Sequence, residues 1–287
     1  MHHPGRFFTM ANLCECGEDV AEIYLENFPA NWVIEVGTTI VATGETITWD
    51  WGDGTVVTGL TGAPPNHSYG TRGSWVIRIF GKIESILGDT QSTTPHGWIR
   101  LQNGNDNTYI RSVWLPKCVT EIRTRAFARC RGMTEFHAPG VKTVGDSAFD
   151  QCTSLREIDA PLVRSVSEWS FRGCTALRRL RMSGEVLIGG SSFESGGITN
   201  GELIANASTA SIMANAFKGS GFKVVRFVGT PSFSFTADLG AFASSAITDL
   251  YLESMTAYSV QNLSGYYGWG LAHGTKIHCS NGNTITY

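Results

Sequence analysis

Across the second half of the chain the apolar positions recur in blocks. Phenylalanine follows a small residue at Ala126-Phe127, Ala148-Phe149, Ser170-Phe171, Ser192-Phe193, Ala216-Phe217 and Ala241-Phe242, with steps of 22, 22, 22, 24 and 25 residues. Five residues before each phenylalanine stands Ile122, Val144, Val166, Ile188 or Ile212, with Ala237 in the last block. Three residues after it come Cys130, Cys152 and Cys174, then Gly196, Ser220 and Ser245. Six residues after it begin Met133-x-x-Phe136-x-Ala138, Leu155-x-x-Ile158-x-Ala160 and Leu177-x-x-Leu180-x-Met182, and Pro139 and Pro161 close two of these segments. Such a unit holds one short strand and a helical or irregular turn, too little to bury its own apolar face. Stacking the units buries it, so the pattern predicts a solenoid with a parallel sheet along one side. Equivalent positions then form ladders one strand spacing apart, roughly 4.8 Å. The Cys, Gly and Ser position is small because a larger side chain there would overpack the coil.

The first part of the chain follows a different period. Asn31-Trp32-Val33-Ile34-Glu35-Val36 and Thr46-Ile47-Thr48-Trp49-Asp50-Trp51 alternate in twos, and Gly52-Asp53-Gly54 makes a turn. Pro64-Pro65-Asn66-His67-Ser68-Tyr69 then leads into the strand pattern Gly73-Ser74-Trp75-Val76-Ile77-Arg78-Ile79-Phe80-Gly81. After Tyr258 the repeat is lost, and Lys276-Ile277-His278-Cys279 followed by Asn281-Gly282-Asn283-Thr284-Ile285-Thr286 predicts a closing hairpin that caps the last coil.

Two family resemblances rest on these residues. The units Ile122–Pro139, Val144–Pro161 and Val166–Met182 closely resemble bacterial leucine-rich repeats of the BspA type, whose unit reads approximately I-x-x-x-A-F-x-x-C-x-x-L-x-x-I-x-L-P. The likeness covers about residues 109–252. Ser195-Gly196-Gly197 departs from it, and Ser232–Gly240 looks like an insertion. The string Trp49-Asp50-Trp51-Gly52-Asp53-Gly54, with His67-Ser68-Tyr69 and Gly73-x-Trp75-x-Ile77-x-Ile79, resembles the core of a PKD-type β-sandwich, with Trp75 where that family usually has Tyr. The expected fold is therefore mainly β with short helical turns: an abbreviated PKD-like sandwich, then a right-handed leucine-rich-repeat solenoid of about six coils. The expected division is an N-terminal tail over 1–17, the sandwich over 18–83 and a connector or N-terminal cap over 84–108. The solenoid follows over 109–257 and a C-terminal cap over 258–287.

Composition narrows the function classes. At roughly 100–200 residues per domain, 287 residues fit a small domain plus an array. A net charge of −3, from 22 Lys+Arg and 25 Asp+Glu, argues against a nucleic-acid binder that relies on a basic field. Charged residues make up only 16% and Gly numbers 33, which favours turns and strands over charged helices. No stretch has the ~18 consecutive apolar residues of a membrane span, so no membrane insertion is expected. The N-terminus lacks the apolar stretch of a signal peptide, which argues against simple export, and Met10 is an alternative start.

Candidate chemistry is sparse. Asp50 and Asp53 fall short of the six to eight oxygens that Ca²⁺ takes, so they are read as turn-closing residues, and His67 as a partner of that turn. Cys130, Cys152 and Cys174 lie in a line and cannot converge on a zinc ion, so they are read as buried free thiols. Cys14-Glu15-Cys16, and His273 with His278-Cys279, lack the further ligands of a zinc site, and Cys118 is read as core. No phosphate-binding loop, nucleophile elbow or H-E-x-x-H is present. Catalytic residues, metal and cofactors are expected to be none, and the chain is expected not to be an enzyme.

What remains is the outward side of the repeat strands. With Phe136, Ile158 and Leu180 inward, alternation turns Glu135 and His137, Glu157 and Asp159, and Arg179 and Arg181 outward. Trp114 precedes them beside the inward Val113, and Asp249 and Tyr251 follow around Leu250. Mixed charge with aromatics suits an unidentified protein or glycan ligand better than a phosphate backbone. The Tyr266-Tyr267-Gly268-Trp269 cluster in the cap is a second candidate contact. The expected function is a non-enzymatic interaction or adhesion protein, surface-associated or extracellular by the resemblance. The alternatives are a phage- or particle-associated appendage and, ranked below it, an accessory fragment of a carbohydrate-degrading or proteolytic enzyme. The sequence leaves the oligomeric state open.

Overall fold

A computed structural model describes residues 20–88, 97–101, 107–197, 201–261 and 268–287. The tail 1–17 with Cys14, Cys16 and Met10, part of 84–108, and Tyr266-Tyr267 lie outside these residues. The regular secondary structure of the described part is nearly all strand, with the short helix Ala257–Gln261 and no helix long and apolar enough to cross a membrane.

Each coil runs strand, corner, strand, turn. The first strands stack in parallel, with Val113 paired to Phe136 and Phe136 to Ile158. The second strands do the same through Ile122, Val144 and Val166. The phenylalanine turn closes the coil. Its shape comes from two left-handed residues, one two positions before the phenylalanine and one two positions after, with φ between 52° and 70° in every coil from Arg125 and Arg129 to Gly240 and Ser244. Backbone N–H groups bind the equivalent turn one coil on, as Phe127 N does Ala148 O at 2.7 Å and Phe149 N does Ser170 O at 2.8 Å. The turns therefore form a hydrogen-bonded ladder of their own, which satisfies backbone groups that stacking buries.

Inside, the rings of Phe127, Phe149, Phe171, Phe193, Phe217 and Phe242 stack at centroid spacings of 5.3, 5.2, 5.4, 5.2 and 5.3 Å. Trp98 meets one end edge-on at 6.2 Å and Trp269 the other at 6.5 Å. Cys130, Cys152 and Cys174 form no disulfide and are wholly buried. The Cys152 thiol donates to Phe127 O and the Cys174 thiol to Phe149 O, each at 3.0 Å. At the same position a Cβ on Gly196 would come within 2.8 Å of Phe171 O, so the site admits only small side chains.

The solenoid has about seven turns, one more than the phenylalanines indicate. The additional turn is N-terminal. Ile86 pairs with Ile122, and Trp98 N donates to Ala126 O just as Phe127 N does to Ala148 O. A tryptophan stands in the phenylalanine position, 29 residues ahead of Phe127, which hides the unit from a 22-residue period. The late coils also differ. Where Pro139 and Pro161 break the earlier corners, Arg179–Ile188, Gly201–Ile212 and Phe222–Ala237 run as continuous strands from one side of the coil to the other. The register passes from Ala207 opposite Gly229 to Thr209 opposite Ser234, so the inserted residues fall at 230–233, ahead of most of Ser232–Gly240.

The N-terminal strands do not stand apart from the array. Val20–Phe28 pairs antiparallel with Gly73–Phe80 on one side and with Ile110–Trp114, the first outward-facing repeat strand, on the other. Ile47–Asp50 and Val56–Leu60 extend that sheet, and Val33–Val36 forms a second one with His67–Ser68 and Ile99–Leu101. Trp49, Trp51, Tyr69, Ile77 and Trp98 are buried in one continuous core cluster with the repeat interior. The last strands, Lys276–Cys279 and antiparallel Thr284–Thr286, add the closing hairpin onto Asp249–Leu252.

Candidate binding face

The outward positions expected from alternation lie in two rows across one sheet. The first row runs Ser112, Glu135, Glu157, Arg179, Glu202, Val224, Asp249, Lys276. The second runs Trp114, His137, Asp159 and, beyond, Arg181, Ile204, Arg226, Tyr251, His278. Phe136, Leu180 and Leu250 point inward and are buried, whereas Ile158 is only partly so. The sheet thus brings Trp114, Glu135, His137, Glu157, Asp159, Arg179, Arg181, Asp249 and Tyr251 onto a common surface.

At one end the imidazole of His137 stacks on Trp114, 3.6 Å between centroids and 14° from parallel. Its Nδ1 lies 3.6 Å from Asp159 and its Nε2 3.9 Å from Glu135, both beyond hydrogen-bond reach. At the other end Tyr251 lies between His278, stacked at 4.2 Å, and the Arg226 guanidinium, 3.8 Å from the ring centroid. Arg226 pairs with Glu253 and lies 3.9 Å from Glu202. His278 Nε2 is 2.7 Å from Asp249 Oδ1, and this hydrogen bond holds the Asp249 carboxyl below the usual carboxylate range against the opposing effect of burial. Between the ends, Arg179, Arg181 and Glu157 are exposed and have no ion-pair or hydrogen-bond partner among the described residues.

Glu202, Ile204, Arg226, Lys276 and His278 belong to this surface and were not picked out by spacing, because the late coils depart from 22 residues. Aligning the inward Leu203, Val225 and Ile277 would have found them. The surface also continues onto the N-terminal sheet, where Glu22 lies opposite Trp114 and pairs with Arg78 at 2.8 Å.

The other candidates resolve locally. Asp50 Oδ1 accepts from Gly52 N at 2.8 Å and Asp53 Oδ1 from Thr55 N at 2.9 Å, while Asp53 Oδ2 meets His67 Nε2 at 2.9 Å. Burial alone would raise the Asp53 carboxyl, but Thr55 and His67 hold it low. His67 stacks on Trp51 at 4.5 Å, and Tyr69 donates to Trp51 O at 2.8 Å. The carboxylates are thus engaged in closing the turn. No cluster of three or more potential metal ligands occurs among the described residues.

Residues 104–223 match the family described as BspA type Leucine rich repeat region, in six copies. A solved crystal structure, that of a leucine rich cell surface protein from Faecalibacterium prausnitzii, is 20% identical over 58% of this chain, with a TM-score of 0.39. The aligned part spans 46% of that protein's chain, less than half its length. A search of curated proteins finds no match. The repeat unit read from the sequence, the stacking of its phenylalanine turns and the family match agree that residues 104–223 are similar to a leucine-rich repeat region of the BspA type.

Proposed function

We propose that this chain is a non-enzymatic interaction protein of adhesive type, presented at a surface, which binds its ligand through the outward face of the repeat sheet. The N-terminal strands serve as a PKD-like platform for that face. The observation that carries the reading is the unpaired charge at its centre. Arg179 and Arg181 stand exposed beside Glu157 and Asp159, on a rigid sheet, between two preformed aromatic–histidine stacks. Fixed charges of both signs select a partner of matching pattern, and flanking aromatics supply contact area at low entropic cost. Of the two ligand classes that fit a mixed surface, this pattern favours a protein.

The test is a screen of folded protein against extracellular-protein and glycan arrays, followed by affinity measurements on variants. Binding to a protein that Arg179→Ala, Trp114→Ala or Tyr251→Ala weakens supports the reading. Silence on every array, or binding indifferent to all three substitutions, refutes it.

A further inference from the structure

The edge formed by the phenylalanine turns carries a second, unrelated feature. Two residues before each ladder phenylalanine the backbone is left-handed, and the residues found there are Arg125, Ser147, Trp169, Ser191, Asn215 and Gly240. A bulky aromatic is poorly suited to that conformation. Trp169 nevertheless adopts it, at φ 53°, and remains 42% exposed, so little of the strain is returned as burial. The turn ladder sets small and polar residues against its backbone: Ser147 N donates to Glu168 O at 2.9 Å and Trp169 N to Gly190 O at 3.2 Å, with Ser191 next in the chain. Glu168 Oε1 leans over Gly190 within 3.8 Å of where a Cβ would stand. Asp146 and Glu168, the residues just before Ser147 and Trp169, are exposed along the same edge. The ring is also held from behind: the Arg172 guanidinium lies 5.5 Å from its centroid and is itself fixed by hydrogen bonds of 2.8 and 2.9 Å to the buried Asp150.

We propose that Trp169 is the stacking platform of a site for a neutral pyranose ring of a glycan. The apolar C–H face of a pyranose packs on an oriented indole, as apolar ligand surface does in other sites with a few convergent polar groups. Its hydroxyls find acceptors in Glu168 and Asp146 and both donors and acceptors in Ser147 and Ser191. The same two carboxylates repel sialic and uronic acids and any phosphate-bearing ligand. The site is separate from the sheet face and does not rest on the function proposed for it.

The test uses the full chain and saturation-transfer NMR with titration against maltotriose, cellotriose and tri-N-acetylchitotriose, with sialyllactose as the anionic comparison. Saturable binding of a neutral trisaccharide is expected. Trp169→Gly should weaken it roughly tenfold or more. Glycine suits the left-handed backbone, so the variant should melt no lower than the parent protein, and Trp169→Phe should retain part of the affinity. Arg179→Ala with Arg181→Ala should leave sugar binding unchanged. No binding of any neutral sugar, a preference for sialyllactose, or binding indifferent to Trp169→Gly overturns the proposal. A loss seen only with the arginine variants would also overturn it and move glycan recognition to the sheet face.

Discussion

Phe171 is flanked by the rings of Phe149 and Phe193 at 5.2 and 5.4 Å and is wholly buried. Neighbouring coils are tied together by both strand and turn hydrogen bonds, so they have little freedom to collapse into a gap. Phe171→Ala should therefore cost about 3–5 kcal/mol, read from denaturant unfolding. The thiols beside this ladder are equally enclosed. Burial, with Cys174 and Cys130 close by, pushes the Cys152 thiol up, and the thiolate is the reactive species. Alkylation followed by peptide mapping should leave Cys130, Cys152 and Cys174 unmodified in the native protein and label all three after unfolding. Rapid native labelling would contradict the stacked arrangement. At the surface, His278 lowers the Asp249 carboxyl. A depressed carboxyl contributes stability above its unfolded value and loses it as pH falls through its folded one. Asp249→Asn should therefore flatten the acid side of the stability profile, read from denaturant unfolding at stepped pH.

At the scale of the element, the tight turn after Trp51 shows what short-range sequence encodes. Asp50 and Asp53 supply the side-chain acceptors and Gly52 and Gly54 the conformational freedom, all within a few residues. Gly52 has φ +84°, and a Cβ there would fall 2.5 Å from Val76 O. Gly52→Ala should destabilise the protein by on the order of 1–3 kcal/mol, measured by thermal or denaturant unfolding. A result within a few tenths of the parent would mean the turn relaxes. The repeat turns were legible for a related reason: Phe, the small residue before it and the Cys after it are fixed by one cramped geometry. The turn led by Trp98 was not legible, because its equivalence to the others is made by long-range hydrogen bonds and a 29-residue step. The outward rows show the same division. Alternation placed Glu135 and Arg179 correctly from local pattern, whereas Glu202, Arg226 and His278 depend on a register that shifts where strands turn the corner unbroken.

At the scale of the whole molecule, the N-terminal sheets and the solenoid share hydrogen bonds and interior. Ile23 is wholly buried, and it pairs with Val113 of the first repeat strand and with Ile77 on its other side. Trp98 belongs to both parts, touching Trp49 at 5.8 Å and Phe127 at 6.2 Å. A stacked array propagates stability from neighbour to neighbour, so what covers its first coil influences all the others. The N-terminal strands therefore act as the array's cap, and the two should unfold together. Two probes separate the parts. Trp32, Trp49, Trp51, Trp75 and Trp98 dominate the tryptophan signal at the N-terminal end, while labelling of Cys130, Cys152 and Cys174 reports the middle of the array. In rising denaturant both should change at one midpoint, and Ile23→Ala should move both by the same amount, about 2–5 kcal/mol. If the variant shifts the fluorescence midpoint and leaves thiol exposure where it was, the strands are a separate module that merely abuts the repeats. Coincident shifts would mean that the outward face proposed for binding, from Arg78 to His278, belongs to a single folding unit.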